Sequence, residues 1–217
     1  MTLDSRAMSS LDTTPAAVGL RERKKQQTRE KIAQVALRLF AERGYDETTL
    51  ADIAAAADVA PRTIFAYYES KEEILLSKES SLLAELQQAL DTRPPSSTTV
   101  DVLREFVRSM RPPDEEFALR KQIISCSPAL QLKLTARSAQ LEPMLAASLA
   151  KDLGTEPDDL RAILAAASVT AAIAAVRQRG PDKDAPPTQA AYEEGLAIFD
   201  DVLEFLRGGL EALRRDP

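Results

Sequence analysis

The 217-residue chain contains no histidine, no tryptophan and a single cysteine, Cys126. Without imidazole there is no Ser-His-Asp or Cys-His nucleophile system, no His-ligated zinc and no histidine pH switch. One cysteine excludes an internal disulfide framework and any multi-cysteine metal site, and fits a reducing compartment. Only seven glycines are present; they form neither a G-x-G-x-x-G fingerprint nor a Walker loop, so nucleotide hydrolysis has no support. No apolar run is long enough for a membrane: the block from Ala162 to Val176 carries Ser168 and Thr170 and lies between arginines, which reads as a buried helix. The first twenty residues lack the basic start and apolar stretch of a signal peptide. A cytoplasmic protein with no membrane partner, no metal, no catalytic residues and no cofactor is expected.

What remains is 44% hydrophobic and 29% charged, a balance that favours a globular core built from Ala, Leu, Ile and Val. The formal charge of −6 hides a gradient. Between Arg21 and Tyr45 eight basic residues face three acidic ones, a local +5 that leaves −11 on the remainder. Lys24 and Lys25 sit at the head of this run. One end is therefore suited to a polyanion and the bulk is not.

The pattern along the chain is helical, with no strand signal. Residues 1–20 read as a disordered tail. Ile32, Val35, Ala36, Leu39 and Phe40 follow the stripe of an amphipathic helix that stops at Gly44. Thr49, followed by Asp52, caps a short helix. Asp58-Val59-Ala60 breaks it, and Pro61 opens another short helix reaching Tyr68. Ser70 caps a fourth, running to Leu90. Beyond Arg93 to Ser97, prolines divide further helices near 99–110, 114–125, 128–154, 157–179 and 188–215, with Pro143 expected to kink or split the third.

Two short helices across a tight turn, braced on both sides, make a helix-turn-helix unit whose second helix can enter a major groove. Val59 would plug the turn, with Ile53, Ala54, Ala57, Ile64 and Tyr68 packed between the helices. That arrangement leaves Arg62, Thr63, Ala66 and Tyr67 for DNA. Arg62 can grip guanine with both arms of its guanidinium, and Ala66 can meet a thymine methyl.

The run from Gly44-Tyr45 through Thr48-Thr49-Leu50, Ile53-Ala54, Ala57-Asp58-Val59-Ala60 and Thr63-Ile64-Phe65 to Tyr67-Tyr68 and Ser70-Lys71-Glu72-Glu73-Ile74 resembles the N-terminal signature of tetracycline-repressor (TetR) family regulators. The likeness covers about residues 22–76. It implies an all-α protein: a three-helix helix-turn-helix domain over residues 21–70 and a helical ligand-binding and dimerisation domain over 71–217. It further implies a homodimer on double-stranded operator DNA, released by a small-molecule effector. Thr49, Thr63, Tyr67 and Lys71 match family positions that usually touch phosphate. Three positions depart from the pattern. Asp58 stands where the family usually has glycine, Phe65 replaces the usual tyrosine with its phosphate-bonding hydroxyl, and Ala60 lacks the usual capping hydroxyl.

Independently of that resemblance, Tyr192, Leu196, Phe199, Leu203, Leu206, Leu210 and Leu213 recur at alternating spacings of four and three, with Ile198, Val202 and Phe205 widening the face. This points to a dimer through helices near 157–179 and 188–215; an internal core stripe is the alternative. Twofold symmetry then calls for a pseudo-palindromic operator. The apolar residues of the C-terminal part exceed what a thin bundle buries, which implies a largely hydrophobic effector, with Phe106, Phe117, Met144, Arg120, Arg137 and Thr170 as candidate contacts. A helical enzyme using Glu115, Glu116, Asp158 or Asp159 is the competing reading, although such residues at helix starts usually serve the helix dipole. Ser148 and Lys151 match S-x-x-K without its companion motifs. Cys126 reads as a small core residue rather than a thiol sensor.

Overall fold

A computed structural model describes residues 15–112, 114–179 and 189–214. Among these the chain is helical without strands: α1 (Pro15–Arg43), α2 (Leu50–Ala56), α3 (Pro61–Phe65), α4 (Lys71–Leu75), α5 (Ser77–Asp91), α6 (Thr99–Ser109), α7 (Glu115–Ser125), α8 (Pro128–Ser138), α9 (Leu141–Leu153), α10 (Leu160–Arg179) and α11 (Gln189–Arg214). It divides into two compact units, Met1–Ile74 and Leu75–Pro217. The stretch read as a tail lies outside the described residues up to residue 14, and from Pro15 the chain is in α1. The expected linker at Pro181 to Pro187 also lies outside them.

In the first unit, Ile32, Ala36, Leu39 and Phe40 of α1 are buried against Ile53, Ala54, Ala57, Ile64 and Tyr68. Gly44 ends α1 with φ +93°, a left-handed stop that costs glycine nothing. Thr48 then joins the elements, its Oγ1 donating to the carbonyl of Gly44 (2.7 Å).

The second unit is built differently from expectation at three places. The helix read from Ser70 to Leu90 breaks at Leu76, whose carbonyl accepts from the Ser80 amide and hydroxyl, both at 3.2 Å, and from Arg137 Nη1 at 2.9 Å. A serine hydroxyl bonded back to the i−4 carbonyl bends a helix. The segment read from Pro128 to Gly154 splits before Leu141, so Pro143 falls in the first turn of α9, where a missing N–H leaves no bond unmade. Cys126 is free and exposed, not a core residue: it is the C-cap of α7, past the turn whose buried side is Arg120 and Ile124.

The four-three stripe of α11 turns inward. Phe199, Leu203, Leu206 and Leu210 are buried with Leu103 of α6, Leu145 and Leu149 of α9, and Val169 of α10. The internal alternative therefore holds for these four, while Leu213 has no described side chain. Periodicity alone is identical for a dimer seam and a protomer core; the neighbours decide. The alanines of α10 permit the close approach, with Ala162, Ala165 and Ala166 buried.

Polar contacts clamp this bundle. Arg93 pairs with Asp152 at 2.7 Å, the two side chains only 11% and 6% exposed. Arg93 also donates to Thr99 Oγ1 and the Ser148 carbonyl, and the Thr99 amide donates to Asp152 (2.7 Å). Ser148 Oγ lies 2.9 Å from Thr99 Oγ1, which ties it into this clamp, while Lys151 is exposed. Between α6 and α11, Asp200 bonds Arg104 (3.2 Å) and Arg108 (2.7 Å), and Arg207 bonds Asp101 (2.7 Å).

The backbone and hydroxyl of Thr98, helped by Arg207, hold the Asp101 carboxyl at about 2, down from 3.8. A carboxyl lowered in this way stabilises the folded state above its unfolded pKa, and the contribution disappears as pH falls from about 4 through about 2. Urea unfolding midpoints should therefore drop over that interval, and Asp101→Asn should make the drop shallower.

Candidate functional site

α3 has five residues, too few to be stable alone. Its position comes from its neighbours. Ile64 is fully buried, which is worth about 1.5–3 kcal/mol relative to exposure. Tyr68, just beyond, is 2% exposed; its hydroxyl donates to the Arg29 carbonyl (3.0 Å) and the Arg29 guanidinium lies 4.9 Å from its ring centre. With that side anchored, Pro61, Arg62, Phe65 and Ala66 are exposed and Thr63 and Tyr67 half-buried. Arg62, Phe65 and Ala66 stand three and four residues apart, on one side of the helix.

The turn before α3 carries two of the three sequence departures. Asp58 has φ +55°, the one non-glycine residue with positive φ among those described, and the Val59 amide behind it donates to the Ala54 carbonyl (3.0 Å). Val59, read as the plug, is half-buried. Ala60 is the N-cap of α3 and makes no side-chain cap bond. At α2, by contrast, Thr49 and Asp52 form a full capping box, and hydrogen bonds from Thr49 lower the Asp52 carboxyl below the usual range.

The other residues read as DNA contacts have separate surroundings. Lys24 and Lys25 are exposed on α1, as is Thr49 at the start of α2. Lys71 is engaged within the unit: its Nζ donates to the carbonyls of Tyr45 (2.8 Å), Asp46 (3.1 Å) and Thr48 (3.4 Å) and sits 4.4 Å from the Tyr45 ring centre. Burial, then the Glu72 charge, pushes the Tyr45 phenol up, keeping that ring neutral. Phe65, 61% exposed, was not among the expected contacts; its apolar type hid a place on the outer side of α3.

In the second unit a cavity of about 450 Å³ opens between α5, α8 and α9, lined by Ser80, Leu83, Ala84 and Gln87 of α5, Arg137 of α8, and Gln140 and Met144. Of the residues read as effector contacts, Arg137 and Met144 meet there. The others lie elsewhere: Phe106 packs on the α6/α9/α10/α11 core, Phe117 is 48% exposed on α7, Arg120 is buried and paired with Glu116 at 2.8 Å, and Thr170 donates to the Ala167 carbonyl. Ser80, Leu83, Gln87 and Gln140 carried no signal in the sequence, since helices distant along the chain create the cavity. A second, polar cavity of about 540 Å³ adjoins Arg93, Asp152 and Lys151. Two of the four competing carboxylates have local partners, Glu116 with Arg120 and Asp159 with Arg161 (2.9 Å). Among the described residues no acidic or cysteine cluster could hold a metal, and no helix is long and apolar enough to cross a membrane.

A capped helix, a left-handed turn and a short exposed helix on a basic support define a helix-turn-helix DNA-binding protein joined to a helical bundle. Residues 32–77 match the bacterial regulatory proteins of the tetR family, and residues 93–210 match the MftR C-terminal domain. The transcriptional regulator TcmR of Streptomyces glaucescens is 33% identical over 160 residues, covering 69% of this chain and 71% of TcmR. MftR of Mycobacterium tuberculosis is 32% identical over 141 residues, 63% of this chain and 71% of that one. Among solved structures, the complex of SmeT with triclosan is similar in fold, with a TM-score of 0.59 at 22% identity over 82% of this chain and 91% of that one. SmeT is the repressor of a multidrug efflux pump of Stenotrophomonas maltophilia. The chain belongs to the TetR family. The family and these relatives are transcriptional regulators, not enzymes, and its regulators bind DNA and small-molecule effectors, typically as dimers.

Relaxing the turn should stabilise the first unit. Asp58→Gly removes a left-handed non-glycine residue, and Ala60→Ser supplies a cap of about 1 kcal/mol. Each should raise the melting temperature of the full chain's first transition. Lys71→Ala should lower it, by releasing three carbonyls at once.

Proposed function

We propose that this protein is a ligand-responsive transcriptional repressor that binds a pseudo-palindromic operator as a homodimer and leaves it when a small molecule occupies the second unit. The observation that carries this reading is the two-sidedness of α3, held by Ile64 and Tyr68 within and offering Arg62, Phe65 and Ala66 without. Arg62 reads a base edge and Ala66 meets a thymine methyl. Thr49, Thr63, Tyr67 and the lysines at 24 and 25 fix register on phosphates. Lys71 bonds backbone in the free protein, so its contribution is to hold the 45–48 loop rather than to add a strong phosphate contact.

Dimerisation through α10 and α11 is supported by what these helices leave uncovered. The outer side of α10 runs Leu160, Ile163, Leu164, Ser168, Ala171, Ala174 and Ala175 with scarcely a polar group. Ile198 (43% exposed) and Phe205 (78%) lie on the outer side of α11. Two adjacent helices with exposed apolar stripes of small and branched residues suit a four-helix interface about a twofold axis. The cavity between α5, α8 and α9 is the effector site on this reading, and occupancy shifts an equilibrium between DNA-bound and released states.

Gel shift against DNA upstream of the protein's own gene tests the whole. Sequence-selective, salt-sensitive binding by a dimer is expected, and no binding at low salt would refute it. Tyr67→Phe should weaken all DNA by a similar factor, whereas Arg62→Ala should also relax base preference. In sedimentation, Ile163→Asp with Phe205→Glu should give folded monomers that lose operator affinity; an unchanged dimer would move the interface elsewhere.

A further inference from the structure

The cavity between α5, α8 and α9 has one ionisable side chain in its lining, Arg137. Its guanidinium is half-buried and fixed from one corner: Nη1 donates to the Leu76 carbonyl at 2.9 Å and to the Ser80 hydroxyl. Both partners are neutral oxygens. Among the described residues no carboxylate pairs with Arg137, and its Nε and Nη2 have no hydrogen-bond partner. Neither atom is sealed from solvent, so an anion entering the site can exchange their water for charge-assisted hydrogen bonds. The remaining donors form the planar fork that fits a carboxylate with two parallel bonds.

The rest of the lining describes the other end of the ligand. Leu83, Ala84 and Met144 make an apolar wall, and an unbranched methionine adapts to the shape laid against it. Gln140 and Gln87 add neutral polar groups; Gln87 Nε2 is held by Asp91 at 3.0 Å, outside the lining. The polar cavity beside Arg93 lacks this character, because Arg93 is already paired with Asp152 and bonded to Thr99 and Ser148.

We propose that this cavity takes an amphipathic organic anion, its carboxylate on Arg137 and its apolar body against Leu83, Ala84 and Met144. The inference rests on the reading of this cavity as the effector site and names the ligand's chemical class. It narrows the expectation of a largely hydrophobic effector by making the charge that meets Arg137 the recognised feature.

The test uses the full-length protein and a matched pair of probes, 1-naphthylacetate and the neutral 1-naphthylacetamide. The chain has no tryptophan, so naphthyl fluorescence reports binding without that background. The acetate should occupy one site per subunit and bind about ten- to a hundredfold more tightly than the amide, the range of a charged hydrogen-bonded pair. Arg137→Gln should abolish the difference and Arg137→Lys should keep part of it. Since Arg137 also caps Leu76, Gln140→Glu provides a second variant that leaves those bonds intact; the acid it adds to the lining should weaken the acetate and spare the amide. Equal affinity for the two probes, indifference of the acetate to Gln140→Glu, or failure of both probes to bind overturns the proposal. Gel shift in the presence of each probe separates the two readings. Acetate that binds as expected without releasing DNA supports the anion site and removes its effector role, whereas equal release by both probes keeps the effector role and removes the anion.

Discussion

A five-residue helix has no capacity to hold its own shape in water, so everything that α3 offers outward is conditional on what its neighbours do to it. The conditions are few and specific. Ile64 must be sealed in the core of the first unit, Tyr68 must reach back to the Arg29 carbonyl, and the chain must reverse within Asp58, Val59 and Ala60. Lys71 adds a clasp on the far side, gathering three carbonyls of the loop before α2 around one ammonium. The surface proposed to read DNA is thus an exported property of a small core. Rigid scaffolding of a short exposed element is what lets a few side chains meet a groove in fixed geometry.

The second unit solves another problem, giving long helices two apolar sides. α11 sends one side inward to α6, α9 and α10 and leaves Ile198 and Phe205 on the other. α10, rich in alanine, does the same at closer range. A helix apolar over more than one stripe needs more than one neighbour. The ion pairs between α6 and α11 then set which rotation of α11 is kept, since Asp101 meets Arg207, and Asp200 meets Arg104 and Arg108, in only one register.

What could be read from residues alone was whatever depends on neighbours in sequence. The α1 stripe from Ile32 to Phe40, the Thr49 cap, the Pro61 start and the Gly44 stop each follow from local rules. The glycine-like position of Asp58 was legible too, and its φ of +55° is what that position demands. Long-range decisions were not legible. At the break the Leu76 carbonyl is met by Arg137, sixty-one residues away, and the exposure of Cys126 follows from where α7 ends. Whether the leucines of α11 face their own subunit or another is decided by which helices pack against them, to which a repeat of four and three is blind. The cavity was equally hidden, because Ser80, Gln87 and Gln140 are ordinary surface residues until three helices surround them. The family likeness supplied the sense of the N-terminal third, and the physical reading of Ala60 and Asp58 shows where this member departs from it.

The Arg93–Asp152 pair has a consequence for how this sequence can change over generations. Each side chain is almost wholly withdrawn from water and each also serves Thr99. Loss of either alone would leave a nearly buried charge without its partner at the wall of the polar cavity, a penalty of up to about 3–5 kcal/mol, although replacing both with apolar residues of similar volume is often harmless. Neutral drift is therefore closed to each position singly and open to the two jointly. In descendants of this chain, 93 and 152 should be inherited as a unit, substituted together or not at all.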